Sequence, residues 1–243
     1  MATASAGYVL FDSFATEILQ YVPGAPTILI RTHIRNAIIE FLERSMILKK
    51  DPSSFYLEED EHTYTLKYSG DRYRAVAVKG DSARLGEEEN DNKMIITTTE
   101  HEMDASKKKW RTTTGLYPTS CWLTPETNKI RFYPIPNQDS DEEVFMTTAV
   151  TLKRDQTEID EWIYEKWEET IQAGALASLL IIAGASWYNA NLSRTFAYVN
   201  KRGIKRARAI ALRGTGEFSG RVTPQNFEVM GSDRTGTRSA TWE

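Results

Sequence analysis

The sequence predicts an α+β protein: a helical bundle core interrupted by an antiparallel β domain, followed by an extended C-terminal arm. Three observations lead there. Apolar residues recur at three- and four-residue steps towards both ends of the 243-residue chain. Between about 55 and 154 the repeat shortens to two, with Gly, Pro, Asn and Asp between the runs. Residues 214–243 are rich in Gly, Thr, Ser and Arg and carry only scattered apolar side chains. The expected divisions are therefore 1–54 and 155–213 for the bundle, 55–154 for the inserted β domain and 214–243 for the arm.

The first expected helix is short, about Asp12 to Gln20, with Asp12 as N-cap and Phe14, Ile18 and Leu19 as its apolar side. The second starts at Pro26 or Thr27, because Gly24 permits the reversal of the chain and Pro26 holds Ala25 extended while suiting a first helical turn. Its apolar stripe is Ile30, Ile34, Ala37, Ile38, Phe41 and Leu48, and Pro52 predicts an end near Lys50. His33, Asn36, Glu40 and Arg44 fall on the other side, where Glu40 and Arg44 stand in the favourable i, i+4 order. With no second ligand one turn away, His33 reads as a solvated or subunit-facing residue.

The β runs begin with HTYTLKY, in which Tyr64, Leu66 and Tyr68 alternate with Thr63, Thr65 and Lys67. RYRAVAV, KMIITTT, SCWLT, KIRFYPI and EVFMTTAVTL continue in the same style. Ser69-Gly70-Asp71 reads as a hairpin turn, and Pro134 inside one run predicts an edge strand. A third helix is expected over about Glu161 to Ala183, with acidic residues at its positive end, Gly184 as its cap, and Ile163, Trp167, Ile171, Gly174 and Ser178 along one stripe. The last spans about Leu192 to Arg213, turning Phe196, Val199, Gly203, Ala207 and Ile210 inward and stopping at Gly214.

Composition narrows the function classes. A chain of this length buries roughly 70–75% of its unfolded surface, so it needs neither disulfides nor metal to form a core. Cys121 is the only cysteine, which excludes an internal disulfide framework and a multi-cysteine zinc site. The N-terminal MATASAGYVLFDSF has no basic region and no long apolar run, so no signal peptide is expected, and the 13-residue apolar run from Ala173 to Ala185 is too short to span a bilayer. No membrane partner is expected.

Neither catalytic residues, cofactor-binding residues nor metal ligands emerge. Gly214 to Gly220 (GTGEFSG) has the wrong spacing for a dinucleotide loop and follows a helix rather than a strand. His101-Glu102-Met103-Asp104 lacks a second histidine and adjoins a β run. Asp160/Glu161 and Glu168/Glu169 are explained by capping and solvation. The expectation is a protein that is not an enzyme and uses no cofactor.

Charge is more informative. The net charge is −4, yet Arg194 to Arg221 is strongly basic with Glu217 as its single acid, and Gly86 to Asp104 is strongly acidic with Lys93 as its single base. Such polarity can orient subunits. KRGIKRARAIALR, residues 201–213, places Arg202, Lys205, Arg206 and Arg208 where they could meet either acidic protein surface or phosphates. Aromatics are not interleaved with them as a single-strand platform would require. In the arm, Phe218, Phe227, Val229, Met230 and Trp242 are spaced apolar anchors suited to binding another surface.

YVPGAP followed by IRNAIIEFLERS (34–45), then GLYP (115–118), IRFYPIP (130–136), WIYEKWEETIQAGALASLL (162–180), Trp187 and IKRARAIALRG (204–214) resembles, in that order, the head-to-tail adaptors of short-tailed bacteriophages. The likeness covers most of 10–214, with departures at Leu42, where many relatives carry a cysteine, and in the long acidic stretch 86–92. It implies a virion protein at the head-tail interface, synthesised in the host cytoplasm. It also implies a homo-oligomeric ring, a dodecamer, between the portal protein and the tail nozzle protein, with non-specific contact to DNA in the channel. Neither cofactor nor reaction is implied. The interface residues expected on this reading are Arg202, Lys205, Arg206 and Arg208 on the last helix and Phe218, Phe227, Met230 and Trp242 on the arm. The alternative is a non-ring DNA-binding protein using the basic helix 201–213.

Overall fold

The computed structural model describes residues 7–80, 82–86 and 93–213. Among them are five α-helices, α1 (Ala15–Tyr21), α2 (Thr27–Ser45), α3 (Glu100–Ser106), α4 (Glu161–Leu179) and α5 (Ala190–Arg213), and a set of short strands. The protein is α+β. Interface residues Phe218, Phe227, Met230 and Trp242, the arm 214–243 and most of the acidic stretch 86–92 lie outside the described residues.

α2 begins where the sequence places it, with Gly24 at φ 81° and Pro26 preceding the first helical residue. All six residues of its expected stripe are buried, joined by Ile39 and Leu42. Glu40 and Arg44 form their i, i+4 ion pair at 2.9 Å. The helix ends five residues before Lys50, however. Met46 takes a left-handed conformation with φ 54°, and Lys49–Lys50 is drawn into a strand against Thr148 and Ala149, so sheet pairing overrides a helical pattern that propensity alone would continue. Leu48 is buried from beyond the helix.

The first helix departs from expectation too. A 3₁₀ turn, Phe11–Phe14, precedes α1, and Asp12 caps nothing. Its carboxylate instead accepts from Arg31 Nε at 2.6 Å and Nη2 at 2.5 Å, tying the turn to α2. Phe14 and Ile18 point into the core, but Leu19 is exposed and Phe11 takes the inward position.

α4 is the central helix and packs on α1, α2 and α5. Ile163, Trp167 and Ile171 are buried along its stripe, while Gly174 is half-buried and Ser178 exposed. It stops at Leu179 rather than Ala183. The following turn satisfies its terminal carbonyls: Trp187 Nε1 donates to Leu179 O at 3.3 Å and Asn189 N to Leu180 O at 2.9 Å. Gly184, at φ 82°, shapes that turn and is not the cap. The Asn189 side chain accepts from Leu192 N at 3.0 Å and so starts α5.

The strands form two four-stranded sheets, one three-stranded sheet and two two-stranded pairs among the described residues. One four-stranded sheet has the order Thr63–Thr65, Lys129–Tyr133, Ser120–Leu123, Ile96–Thr97; the other runs Phe55–Tyr56, Glu143–Phe145, Arg84–Leu85, Lys93–Met94. The three-stranded sheet places Thr148–Leu152 between Lys49–Lys50 and Tyr73–Val78. Pairing is antiparallel except for Ser120–Leu123 with Ile96–Thr97 and Ile135–Pro136 with Thr114–Gly115, which are parallel. The alternation in HTYTLKY holds: Tyr64, Leu66 and Tyr68 are buried, while Thr63, Thr65 and Lys67 are not.

Two local expectations are corrected. Ser69-Gly70-Asp71 is a tight turn with Gly70 at φ 76°, but the strands around it belong to different sheets, so it closes no hairpin. Pro134 does not demote its strand to an edge. Lys129–Tyr133 lies between two partners and ends just before the proline, which has no N–H to continue the ladder. Residues 100–106, which adjoin the strand Ile96–Thr97 as expected, are helical: Thr99 and Glu102 form a capping box, with Glu102 N to Thr99 Oγ1 at 3.2 Å and Thr99 N to Glu102 Oε2 at 2.9 Å.

One contiguous core cluster runs from Ile30, Ile34 and Trp167 in the helices to Leu66, Phe132 and Val150 in the sheets. A satellite of Met103, Trp110 and Trp122 lies under α3.

Candidate protein interface on the C-terminal helix

α5 is held on α4 by small residues and two polar bonds. Asn200 Nδ2 donates to Thr170 O at 2.9 Å and Ser193 Oγ to Ala177 O at 2.7 Å. Gly174 faces Asn200 and Ala37, and Gly203 packs directly on Thr170; a side chain at either position would meet its neighbour at once. The two axes can therefore come close. Of the residues expected to face inward, Ala207 is buried and Phe196, Val199, Gly203 and Ile210 are half-buried, while Ser193, Ile204 and Ala211 complete the buried side.

The opposite side carries the basic residues. Arg202, Lys205, Arg206 and Arg208 are all exposed, as is Lys201, and among the described residues none of the five forms an ion pair. Tyr198, 69% exposed, and Leu212, 73% exposed, lie on the same helix. Between α4 and α5 runs a groove of about 340 Å³ whose lining includes Lys166, Trp167, Glu169, Tyr198, Arg202 and Arg206. Trp167 is 4% exposed, and its indole N–H has no acceptor among the described residues. At the far end of α5, Lys49 Nζ donates to Ala211 O at 2.5 Å, placing a cation on the negative end of the helix. Burial, and then the nearby Lys79, lower the pKa of that ammonium.

A second charged surface escapes the sequence analysis. Loops 57–61 and 136–142 lie side by side, joined by Glu59 N to Asp139 Oδ1 at 2.8 Å, Asp60 N to Pro136 O at 2.9 Å and Ser140 N to Leu57 O at 2.8 Å. They gather Glu58, Glu59, Asp60, Glu61, Asp139 and Asp141, all exposed. Among the described residues none of these six is in an ion pair, and Glu142 beside them meets Lys93 at 3.4 Å. Burial, followed by the charges of Glu61, Glu58 and Asp139, pushes the Tyr64 phenol beneath them up to about 12. The signal in the sequence is two acidic runs about 80 residues apart, which nothing local brings together.

The groups considered for chemistry are dispersed. His33 is half-buried and its Nδ1 lies 2.7 Å from Ser178 Oγ, whose own hydroxyl donates to Ala175 O at 2.8 Å, so the ring donates from Nδ1. It is thus an α2–α4 contact rather than a freely solvated residue, and burial lowers its pKa. Cys121 is fully buried, which pushes its thiol up to about 12, away from the thiolate a nucleophile needs. Asp160 and Glu161 are no pair: buried Asp160 accepts from Lys50 Nζ at 3.1 Å and Tyr73 OH at 3.2 Å, while Glu161 faces outward. Glu168 accepts from Gln172 Nε2 at 3.0 Å. No three His, Cys, Asp or Glu residues cluster as a metal site among the described residues, nor is any described helix long and apolar enough to cross a membrane. The Gly214 to Gly220 segment lies outside the described residues.

In comparison with known proteins, the chain matches no family model and no curated sequence.

Proposed function

We propose that this chain is a structural virion protein of a short-tailed bacteriophage, a head-to-tail adaptor that repeats as a closed ring between portal and tail nozzle, around the DNA channel. The reading rests on the ordered series of segments from YVPGAP to IKRARAIALRG that resembles that family. The observation on the fold that best supports it is the five-cation face of α5, none of whose cations forms an ion pair among the described residues. A ring built from one chain needs two different faces that complement each other between copies, and an unneutralised face is a candidate for one of them. The twelve-fold stoichiometry and the nozzle partner come from the resemblance. Neither reaction nor cofactor belongs to this role, and its place is the head-tail interface of the virion.

The test is mass measurement and negative-stain imaging of the full chain mixed with the portal ring of the same phage. A ring of adaptor subunits on the portal is the expected result; a strict monomer without portal affinity refutes it. The portal must be present, because rings of this kind can form only on their template.

The same five cations favour a second reading, a DNA-binding protein that forms no ring. On that reading duplex DNA is retained at low salt and released with a log–log slope of about one unit per phosphate contact. Gel shifts of the wild type and of a variant with Arg202, Lys205, Arg206 and Arg208 changed to Ala decide between them. Tight, sequence-selective binding that the variant loses would establish the alternative.

A further inference from the structure

Among the described residues, two surfaces of opposite charge have no counterpart inside the protomer. One is the α4–α5 groove with Lys166, Arg202 and Arg206 on its walls and Trp167 in its lining. The other is the double loop carrying Glu58, Glu59, Asp60, Glu61, Asp139 and Asp141. They stand on separate parts of the fold: α5 packs chiefly on α4 and α2, whereas the loops flank the strands Phe55–Tyr56 and Glu143–Phe145. We propose that the basic groove of one copy docks the acidic double loop of a second copy. This rests on the ring reading above and names the two faces that meet in it.

Three features carry the proposal. The charges match: among the described residues Lys166, Arg202 and Arg206 of the groove form no ion pair, and neither do Glu58, Glu59, Asp60, Glu61, Asp139 and Asp141 of the double loop. The loop is preorganised by the three hydrogen bonds between its halves, so little ordering is needed on contact. The groove, at about 340 Å³, admits a few side chains rather than a domain. A protein occupant is favoured over nucleic acid because Glu169 also lines the groove and can accept hydrogen bonds from the N–H groups of a docked loop, donors that a phosphate backbone does not have. Exposed Tyr198, which also lines the groove, offers an apolar contact that a protein loop can use.

The experiment is zero-length carbodiimide coupling of carboxylates to lysines in the full chain, at low and high salt. Isotope-labelled and unlabelled protein are mixed so that links between copies are identified by mass. Lys201 and Lys205 supply the amines on α5. Two charge-reversal variants are made at exposed side chains, Arg202→Glu/Arg206→Glu on the helix and Glu58→Lys/Glu59→Lys/Asp141→Lys on the loop, and each is checked for unchanged helix content and melting. The wild type should give links between copies joining Lys201 or Lys205 to loops 58–61 and 139–142, weakening as salt rises. Each variant alone sets like charges against each other and should lose about tenfold or more of those links.

Mixing the two variants should restore them, since an alternating array opposes unlike charges at every contact. The links recovered should join Lys201 or Lys205 of the loop variant to the unaltered acidic loops of the helix variant. Absence of these links in the wild type at low salt, links indifferent to either reversal, or a mixture that stays at the level of the single variants overturns the proposal. Duplex DNA that displaces the links and is itself retained through α5 also overturns it, giving the groove to nucleic acid. A ring on the portal whose links lie elsewhere sinks this contact but leaves the adaptor reading. The contact without any ring does the reverse.

Discussion

Gly203→Ala probes the packing that presents the basic face. Gly normally weakens a helix interior, and Ala there should gain about 0.8–1.0 kcal/mol from propensity. At Gly203 a methyl group would overlap Thr170 Oγ1 and Cγ2 and lie 2.8 Å from Thr170 Cβ. Thr170 cannot yield easily: it is 8% exposed on the central helix, and its carbonyl accepts from Asn200. Overpacking of this kind costs about 1–3 kcal/mol, and a retreat of α5 that strains the Asn200 bond would cost about 1 kcal/mol more. The sum is a net loss of about 1–3 kcal/mol. For a chain of this size that lowers Tm by roughly 2–4 °C per kcal/mol. Thr170→Ala removes the two nearest atoms, so Gly203→Ala should cost at least ~1 kcal/mol less in that background than in the wild type. Thermal and urea unfolding of the four proteins, followed by circular dichroism, measure both quantities. A Gly203→Ala variant that melts higher than wild type, or one that costs the same in both backgrounds, would mean that α4 and α5 do not approach at this point.

The remaining predictions concern titratable groups. Because burial pushes the Cys121 thiol up to about 12, the native protein should resist a disulfide reagent at pH 8, and one thiol should appear only on denaturation; rapid labelling of the folded chain would contradict the fully buried site. Burial lowers the His33 pKa in the folded chain below its ordinary value of about 6.5. The unfolded chain therefore takes up the proton first, so the stability His33 provides is complete above that value and is lost as the pH falls through it, levelling off below the lowered folded pKa. Denaturation at pH 7.5 and pH 5 should show a larger acid loss for the wild type than for His33→Gln; equal losses would remove His33 as the cause.

What was readable in the chain was what depends on neighbours a few residues away. The stripe Ile30, Ile34, Ala37, Ile38 and Phe41 and the alternation Tyr64, Leu66, Tyr68 are buried as their periods require, because helix and strand geometry alone determine which side chains share a face. The exposure of Arg202, Lys205, Arg206 and Arg208 followed from the same rule on α5. Tertiary structure decided where elements stop and what they meet. Lys49–Lys50 left the helix for a strand because Thr148 and Ala149 offered a ladder, and the strands around Gly70 took partners in different sheets. Leu19 lost its inward place to Phe11, and Asp12 gave up capping for Arg31. The acidic double loop was invisible for the same reason. Glu58–Glu61 and Asp139–Asp141 become one surface only when Phe55–Tyr56 pairs with Glu143 and Val144, and long-range pairing of that kind is selected by the packing of the whole core, not by any local pattern.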